Sequence, residues 1–317
     1  MKPPIWGGGN NIFASGYLGV EFFFILSGFF MMRHALHHDD TAIRYITDRI
    51  KRLYPPIIIA YCILIINFSI QSKWNVFEII DEVYAHIWEF LLLTSTGITW
   101  EFWNFATWYI SALLIVSYFI YWLIKKDEKC FSEFIAPLLI FAIYSWYAIQ
   151  GKGLDYHVHW ERICTSAISR AIGGISIGCI SYYVNNKYIP KKINKYYCSC
   201  IEIIVLILIF SNIICAEKNS YNLLVLILFP VLIVIEYNKW NKFFCNYIVT
   251  LLGRISINMY LNQVFFIGLF LNIHKKSNAF LDYLLFIVCL TLFACFIEFL
   301  RYKIIKKSMK LFCIKKI

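Results

Sequence analysis

Residues 16–33 read GYLGVEFFFILSGFFMMR, an apolar stretch long enough to cross the hydrocarbon core of a bilayer. The stretch carries one acidic residue, Glu21, and a serine–glycine pair, Ser27-Gly28. A charged side chain at membrane depth is costly, and such residues face the interior of a helix bundle or a water-filled cavity. The stretch therefore predicts a membrane-spanning helix with a functional inner face, on which Glu21 is the first candidate residue.

The composition of the whole chain is that of a polytopic membrane protein. Of the 317 residues, 60% are apolar and 15% are charged, and the mean hydropathy is +0.65. Soluble domains average about 25% charged residues. A net charge of +11 would suggest a nucleic-acid partner in a soluble protein, but here the position of the charges matters more, and we expect no nucleic acid. The eleven cysteines are scattered, which predicts neither a disulfide framework nor a metal site.

Nine apolar runs are long enough to span a membrane, which predicts an all-α helix bundle forming a single domain over residues 1–317. The runs lie near residues 16–32, 53–71, 105–124, 131–150, 163–184, 198–216, 220–237, 253–272 and 280–300.

The segment WNVFEIIDEVYAHIWEFLLL, between the second and third runs, has a polar stripe at helical spacing that includes Glu78 and Glu89. This pattern favours an amphipathic helix that lies at the membrane interface or packs over a cavity, rather than a further crossing.

Lysine and arginine residues are distributed unequally between the two sets of connecting segments. One set, which includes the C-terminal tail, carries 21 of them and the other set carries 7. Positively charged loops stay in the cytoplasm, so we expect the N-terminus outside and the C-terminus in the cytoplasm of a multi-pass cell-membrane protein. Nine spans require ends on opposite sides, in agreement with the charge distribution.

The first basic loop, TAIRYITDRIKRLYPP, has the pattern of a short helix. Thr41 can cap its start, and Pro55 and Pro56 are expected to end it and open the next span. Arg49 and Arg52 are three residues apart and share one flank. Two guanidinium groups there would suit a phosphate-rich donor such as coenzyme A, but they could equally be ordinary anchors of a positively charged loop.

Other polar residues within or beside apolar runs are candidates for the lining of a cavity. Arg170 lies in a glycine-rich span, and Arg254, Asn258 and Asn262 repeat every four residues along another span. Such a repeat places polar groups on one helix face, which must meet partners inside the bundle or line a cavity. Structural hydrogen bonding between helices explains that face equally well. Trp108 stands at the outer start of a span, where an aromatic belt is the usual explanation.

Two histidine-containing segments, HALHHDD (34–40) and YHVHWER (156–162), could in principle supply metal ligands or a base. No second cluster of ligands supports a metal at either one. A solvated loop is the expected environment of both segments.

Taken together, these motifs resemble the acyltransferase 3 family of membrane O-acyltransferases. The strongest match is residues 19–29, which resemble the family signature G-V-[DE]-x-F-F-x-[IL]-S-G-F. Four further segments match in order, so the resemblance covers nearly the whole chain: DRIKRLYPP, ATWYISALL, SRAIGGISIGC and LLGRISINMYLNQ.

The resemblance implies a ten-span bundle that moves an acetyl or similar group from acyl-CoA, as a co-substrate, to a hydroxyl of an exopolysaccharide, capsule or lipopolysaccharide. Partners would be the acyl-CoA donor, a surface glycan or lipid-linked sugar acceptor, the lipid bilayer, and export or glycan-assembly proteins of a bacterial cell envelope. By the same resemblance Arg49 and Arg52 would bind the donor. Glu21 and Ser27 would position the active-site helices.

Two departures from the family pattern affect the expected chemistry. In the family, a first span carries a histidine thought to act as the base, and this chain begins after that point. We therefore expect that the first of ten spans, with its histidine, is missing here. In addition, Gln263 stands where the family has a late histidine, and glutamine cannot take up a proton near neutral pH.

Two other functions remain open. A transporter or flippase for a lipid-linked sugar or acyl group could use Arg170 and the Arg254 face to line a path, although the sequence lacks the internal repeats common in transporters. An inactive, truncated relative is the second alternative.

Overall fold

The computed structural model describes residues 16–99, 101–150, 154, 160–161, 163–190, 193–215, 220–238, 246–273 and 279–314. These residues form helices almost throughout, together with one short antiparallel hairpin made of β1 (Trp160–Glu161) and β2 (Cys164–Thr165). The α-helices are α1 (Leu18–His37), α2 (Ala42–Ser72), α3 (Val76–Ala85), α4 (Ile87–Phe90), α5 (Thr107–Lys126), α6 (Glu128–Cys130), α7 (Ala136–Gln150), α8 (Ser166–Tyr188), α9 (Lys195–Cys215), α10 (Val225–Tyr237), α11 (Tyr247–Ile273) and α12 (Ala279–Ile314).

The predicted all-α membrane bundle is confirmed, but the number of spans is not. Each of the nine predicted runs overlaps a helix. Among the described residues, seven helices are long and apolar enough to cross a membrane, and the α10 region (Asn222–Tyr237) is a shorter apolar helix. The count of nine therefore stays a prediction.

The centre of the bundle is the contact between α1 and α8, where glycines bring the two backbones together. A β-carbon added to Gly28 would lie 2.1 Å from the carbonyl oxygen of Ile175, and one on Gly178 would lie 2.0 Å from that of Ile25. Small residues permit this close approach of membrane helices, which dispersion forces then stabilise. Gly28, in the first apolar stretch of the sequence, thus has a packing role.

Helix α2 corrects the expected break at the proline pair. It begins at Ala42, where the Thr41 hydroxyl accepts a hydrogen bond from the backbone N–H of Arg44, as predicted. It then continues through Pro55 and Pro56 to Ser72. A proline removes one hydrogen bond to the carbonyl four residues earlier, and both affected carbonyls belong to exposed residues, Lys51 and Arg52. Water can satisfy them there, so the helix is not broken.

The predicted amphipathic helix also differs from expectation at its end. Helix α3 begins with a capping box, in which Asn75 and Glu78 bond each other's backbone N–H groups. It ends at Ala85, and the short α4 follows after His86. Because α3 ends before Glu89, this residue does not continue the polar stripe predicted for the segment, and its side chain is buried in the protein interior.

Candidate active site

The N-terminal parts of α1 and α8 hold a buried ion pair. The Arg170 Nε donates a hydrogen bond to Glu21 Oε1 at 2.6 Å, and both side chains are 0% exposed. Gly174 makes room for α1 beside the pair, because a β-carbon there would lie 2.7 Å from the Cβ of Phe24. A buried charge is tolerated when its partner is also buried and hydrogen-bonded, which the two membrane-depth residues achieve with each other.

Two aromatic side chains complete the surroundings of this pair. The Tyr144 hydroxyl, from α7, donates to Glu21 Oε2 at 3.4 Å. The guanidinium carbon of Arg170 lies 5.2 Å from the ring centroid of Trp108, from α5, within the range of a cation–π interaction. Trp108 is only 7% exposed, so it lies inside the bundle and not in an aromatic belt at its surface.

Ser27 lies further along α1, half-buried, beside the phenol of Tyr109. The Tyr109 ring makes an edge-on contact with Tyr260 of α11, with 5.8 Å between ring centroids. Five helices, α1, α5, α7, α8 and α11, therefore contribute polar or aromatic groups to one interior region.

A second layer of hydrogen bonds connects the ion pair region to the β1–β2 hairpin. The Tyr147 hydroxyl donates to Glu161 Oε2 at 3.2 Å and lies 2.8 Å from the Ser169 Oγ. Ser169 also donates to Glu161 at 3.2 Å. Since Ser169 precedes Arg170 in α8, this layer fixes the start of that helix against α7 and the hairpin.

The polar repeat on α11 is divided in the structure. Asn258 and Asn262 are buried, and the Asn258 amide donates to Glu298 Oε2 of α12 at 3.4 Å. Arg254 is exposed, and Gln263 is half-buried one residue beyond Asn262. The predicted polar face therefore extends into the bundle without Arg254.

At the other end of α1, the two arginines of the basic loop point in different directions. Arg49 Nη1 donates to the Tyr45 hydroxyl at 2.9 Å and to Ser117 Oγ of α5 at 3.4 Å. Arg52 is exposed, and its Nε donates to the backbone carbonyl of Asp48 at 3.2 Å. Arg49 thus ties α2 to α5, and Arg52 faces a cavity.

That cavity has a volume of about 490 Å³ and lies between the end of α1 and the first turns of α2. It is lined by His34, Asp40, Tyr45, Asp48, Lys51 and Arg52. His34 Nε2 is 3.5 Å from Asp40 Oδ2, and His34 Nδ1 is 3.2 Å from the Tyr121 hydroxyl. His34 is thus part of a cavity wall at a helix end, not of a solvated loop.

A second buried carboxylate, Glu89, organises the segment before α5. It accepts hydrogen bonds from the backbone N–H of Trp103 at 2.6 Å, from that of Asn104 at 3.1 Å and from the Tyr61 hydroxyl at 2.9 Å. Burial raises the pKa of the Glu89 carboxyl above its usual range, although the two backbone hydrogen bonds oppose that shift. The Asn104 amide in turn donates to the carbonyl of Leu261 at 2.9 Å, so Glu89 connects this segment to α11.

Sequence reasoning selected Glu21, Trp108 and Arg170 separately, and the structure brings these three together. It did not select His34, Tyr144 or the buried role of Glu89. A signal for His34 existed, because His34 and His38 are four residues apart and share one helix face; their rings stack at 4.4 Å. Among the described residues, no group of three or more His, Cys, Asp or Glu side chains is placed to hold a metal ion.

The structure is thus a membrane helix bundle with a buried polar centre and, at one end, a cavity lined by both acidic and basic residues. A family model described as an acyltransferase domain matches residues 2–300. No curated protein and no solved structure has a significant match to the chain. Since the family model covers nearly the whole chain, the protein is a membrane acyltransferase that belongs to the acyltransferase 3 family.

Proposed function

We propose that the protein moves an acetyl or similar acyl group from acyl-CoA to a hydroxyl of a cell-surface glycan or lipid-linked sugar in the cell membrane. The observation that carries this proposal is the presence of two polar sites on one helix. The buried pair includes Glu21, and the cavity includes His34, which are about 20 Å apart at 1.5 Å per residue. A donor with a long arm between its phosphates and its reactive carbonyl would connect them, and acyl-CoA has such an arm.

In this proposal the basic segment with Arg49 and Arg52 serves the donor phosphates, at the end that the positive-inside rule assigns to the cytoplasm. The thioester lies near the buried pair. Glu21 holds Arg170 in place, and the Arg170 charge stabilises the negative charge that develops on the carbonyl oxygen. The acceptor oxygen forms the new ester bond, the carbon–sulfur bond breaks, and the hydroxyl proton is finally carried by the released thiol.

The experiment is the transfer of labelled acetyl from acetyl-CoA to envelope glycan in cells that express the chain, or the chain extended upstream in frame. The matched variants are Glu21→Gln, Arg170→Gln and, as a control outside the site, Glu128→Gln. We expect transfer that falls about 100-fold or more in the first two variants and is unchanged in the control. Size-exclusion chromatography in detergent shows whether each variant remains folded.

No transfer by either wild-type form would contradict the proposal and would favour a transporter or an inactive relative. Transfer by the extended form alone would support both the proposal and the expected role of the family's first span.

A further inference from the structure

The phenol of Tyr144 lies against the turn of α8 that follows Arg170. A β-carbon added to Gly173 would lie 2.8 Å from two carbons of the Tyr144 ring and 2.9 Å from its hydroxyl oxygen. Gly173 is three residues beyond Arg170, so the two positions are neighbours on one face of the helix. The absence of a side chain at Gly173 therefore lets the Tyr144 hydroxyl lie one helical turn from Arg170.

Arg170 and Tyr144 donate hydrogen bonds to the same carboxylate from two different helices. The Arg170 Nε donates to Glu21 Oε1 at 2.6 Å, and the Tyr144 hydroxyl donates to Glu21 Oε2 at 3.4 Å. Two donors that converge on one carboxylate can also converge on a carbonyl oxygen that gains negative charge. Preorganised donors of this kind stabilise an oxyanion, and a tyrosine hydroxyl is one of the side-chain groups that serve in such a site.

The hydrogen bond from Tyr144 is the weaker of the two. O–H···O hydrogen bonds are usually about 2.7–2.8 Å long, so a separation of 3.4 Å is a long one. The Tyr144 side chain is 8% exposed and its ring is fixed against Gly173, but the O–H can still rotate about its bond to the ring. Catalytic hydrogen bonds are often long before the substrate binds and shorten in the transition state. The hydroxyl can therefore turn to a substrate while the Arg170–Glu21 bond stays intact.

We infer, on the basis of the proposed function, that Tyr144 is a catalytic residue whose hydroxyl is the second donor, beside Arg170, to the thioester oxygen. When the acceptor oxygen bonds to the thioester carbon, the electron pair of the carbonyl moves onto its oxygen, which Arg170 and Tyr144 stabilise. When that pair re-forms the carbonyl, the carbon–sulfur bond breaks, and the released thiol finally carries the proton of the acceptor hydroxyl. Tyr144 donates a hydrogen bond in both steps and keeps its own proton.

The test is the dependence of the initial transfer rate on acetyl-CoA concentration, in membranes that contain the full chain or its upstream extension. Tyr144→Phe retains the ring against Gly173 and removes only the donor. We expect kcat to fall about 100-fold while KM for acetyl-CoA and the apparent Tm stay unchanged, because the lost hydrogen bond acts in the transition state. Tyr196→Phe, the same substitution at an exposed position of α9, is the matched control and should transfer like the wild type.

A variant that retains the donor separates a catalytic role from a structural one. 3-Fluorotyrosine in place of Tyr144 keeps the ring and has a more acidic hydroxyl, so it should transfer at least as fast as the wild type. A kcat as low as that of Tyr144→Phe would show that the shape of the ring matters rather than its hydroxyl, and would overturn the inference. An unchanged kcat in Tyr144→Phe, with or without a raised KM, would overturn it as well.

Failure of this inference can be told apart from failure of the proposed function. If the wild type transfers acetyl and Tyr144→Phe transfers it at the same rate, the Tyr144 assignment is wrong and the acyl-CoA reaction stands. If neither the chain nor its extended form transfers acetyl, both the proposed function and the Tyr144 assignment are wrong.

Discussion

Two clusters of charged side chains lie at opposite ends of α1, and they differ in their access to solvent. The cluster at the start of α1, Glu21 with Arg170, is fully buried and hydrogen-bonded within the bundle. The cluster around Arg52, beside the end of α1, opens into a cavity, and its ion pairs are partly exposed. Ion pairs in a dry interior are strongly coupled, whereas exposed pairs are screened by water and salt. The comparison separates charges that act within a buried polar centre from charges that are open to solvent.

The largest effect is expected for breaking the buried pair. Arg170→Gln leaves the Glu21 carboxylate without its charged partner in the interior, which should cost about 3–5 kcal/mol of stability. The double variant Glu21→Gln with Arg170→Gln should recover part of that loss, because no lone charge remains buried. Apparent Tm in detergent measures both. If the double variant is less stable than the sum of the single losses, the two residues do not act as a pair.

The next largest effect is expected at the glycine contact that brings these residues together. Gly28→Ala should destabilise the protein by about 1–3 kcal/mol or more, since a β-carbon would collide with the Ile175 carbonyl and force α1 from α8. Gly19→Ala is a matched control on the same helix, where nothing lies within 4 Å of an added β-carbon. The measurement is the ratio of folded to aggregated protein in detergent, which should be lower for Gly28→Ala than for Gly19→Ala. Equal behaviour of the two variants would show that α1 and α8 are not in close contact.

A third prediction concerns the other buried carboxylate. Glu89→Gln places an amide N–H₂ against N–H donors, which should cost about 1–3 kcal/mol. Because the folded-state pKa of Glu89 is raised, its contribution to stability is fully present below the ordinary glutamate pKa. That contribution declines as the pH rises through the folded-state value.

The pH dependence is a separate readout of the same group. Apparent Tm should fall in the wild type over that pH interval, relative to Glu89→Gln, in which position 89 cannot titrate. Parallel curves for the two proteins would mean that the Glu89 pKa is not raised.

A smaller effect is expected from Arg49. Arg49→Gln removes hydrogen bonds from a partly exposed guanidinium to Tyr45 and Ser117, which should lower stability by about 1 kcal/mol. Arg52→Gln should leave the apparent Tm unchanged. A lower Tm in Arg49→Gln than in Arg52→Gln would show that Arg49 stabilises the fold and that Arg52 does not. Identical Tm values for the two variants would contradict this distinction.

The smallest effect is expected for the exposed pair on α2. Lys51 Nζ and Asp48 Oδ1 are 3.8 Å apart at the protein surface, where such pairs contribute about 0–1 kcal/mol. Asp48→Asn should therefore hardly change stability, in low or high salt. A large loss that persists in high salt would indicate that this cluster is not open to solvent.

The sequence was sufficient to predict the class of fold, because apolar runs of membrane length are a strong periodic signal. It also identified Glu21 and Arg170, because a charged side chain within a membrane span is costly and is usually functional. It did not pair them, because their separation in the chain carries no information on which helices meet. The glycine contacts that place α8 against α1 decide this, and they depend on packing in three dimensions.

Other features were hidden for local reasons. The turn after α3 moves Glu89 from a polar stripe to the interior, and helical periodicity cannot show where a helix stops. The sequence around His34 is typical of a solvated loop. His34 lines a cavity only because the first turns of α2 pack beside the end of α1. The spacing of Arg49 and Arg52 places both on one side of the helix. Only Arg49, however, reaches α5, where it donates a hydrogen bond to Ser117.

The most direct test of the central claim is the sidedness of the reaction in sealed vesicles. Labelled acetyl-CoA is supplied to one face only, with the acceptor glycan on the opposite face, and the orientation of the protein is determined by protease access to the C-terminal tail. We expect labelled glycan only when acetyl-CoA is supplied to the face that carries the Arg52 cavity, and none in Arg170→Gln. Labelling that requires acetyl-CoA on the other face would contradict a path along α1 from the cavity to the Glu21–Arg170 pair.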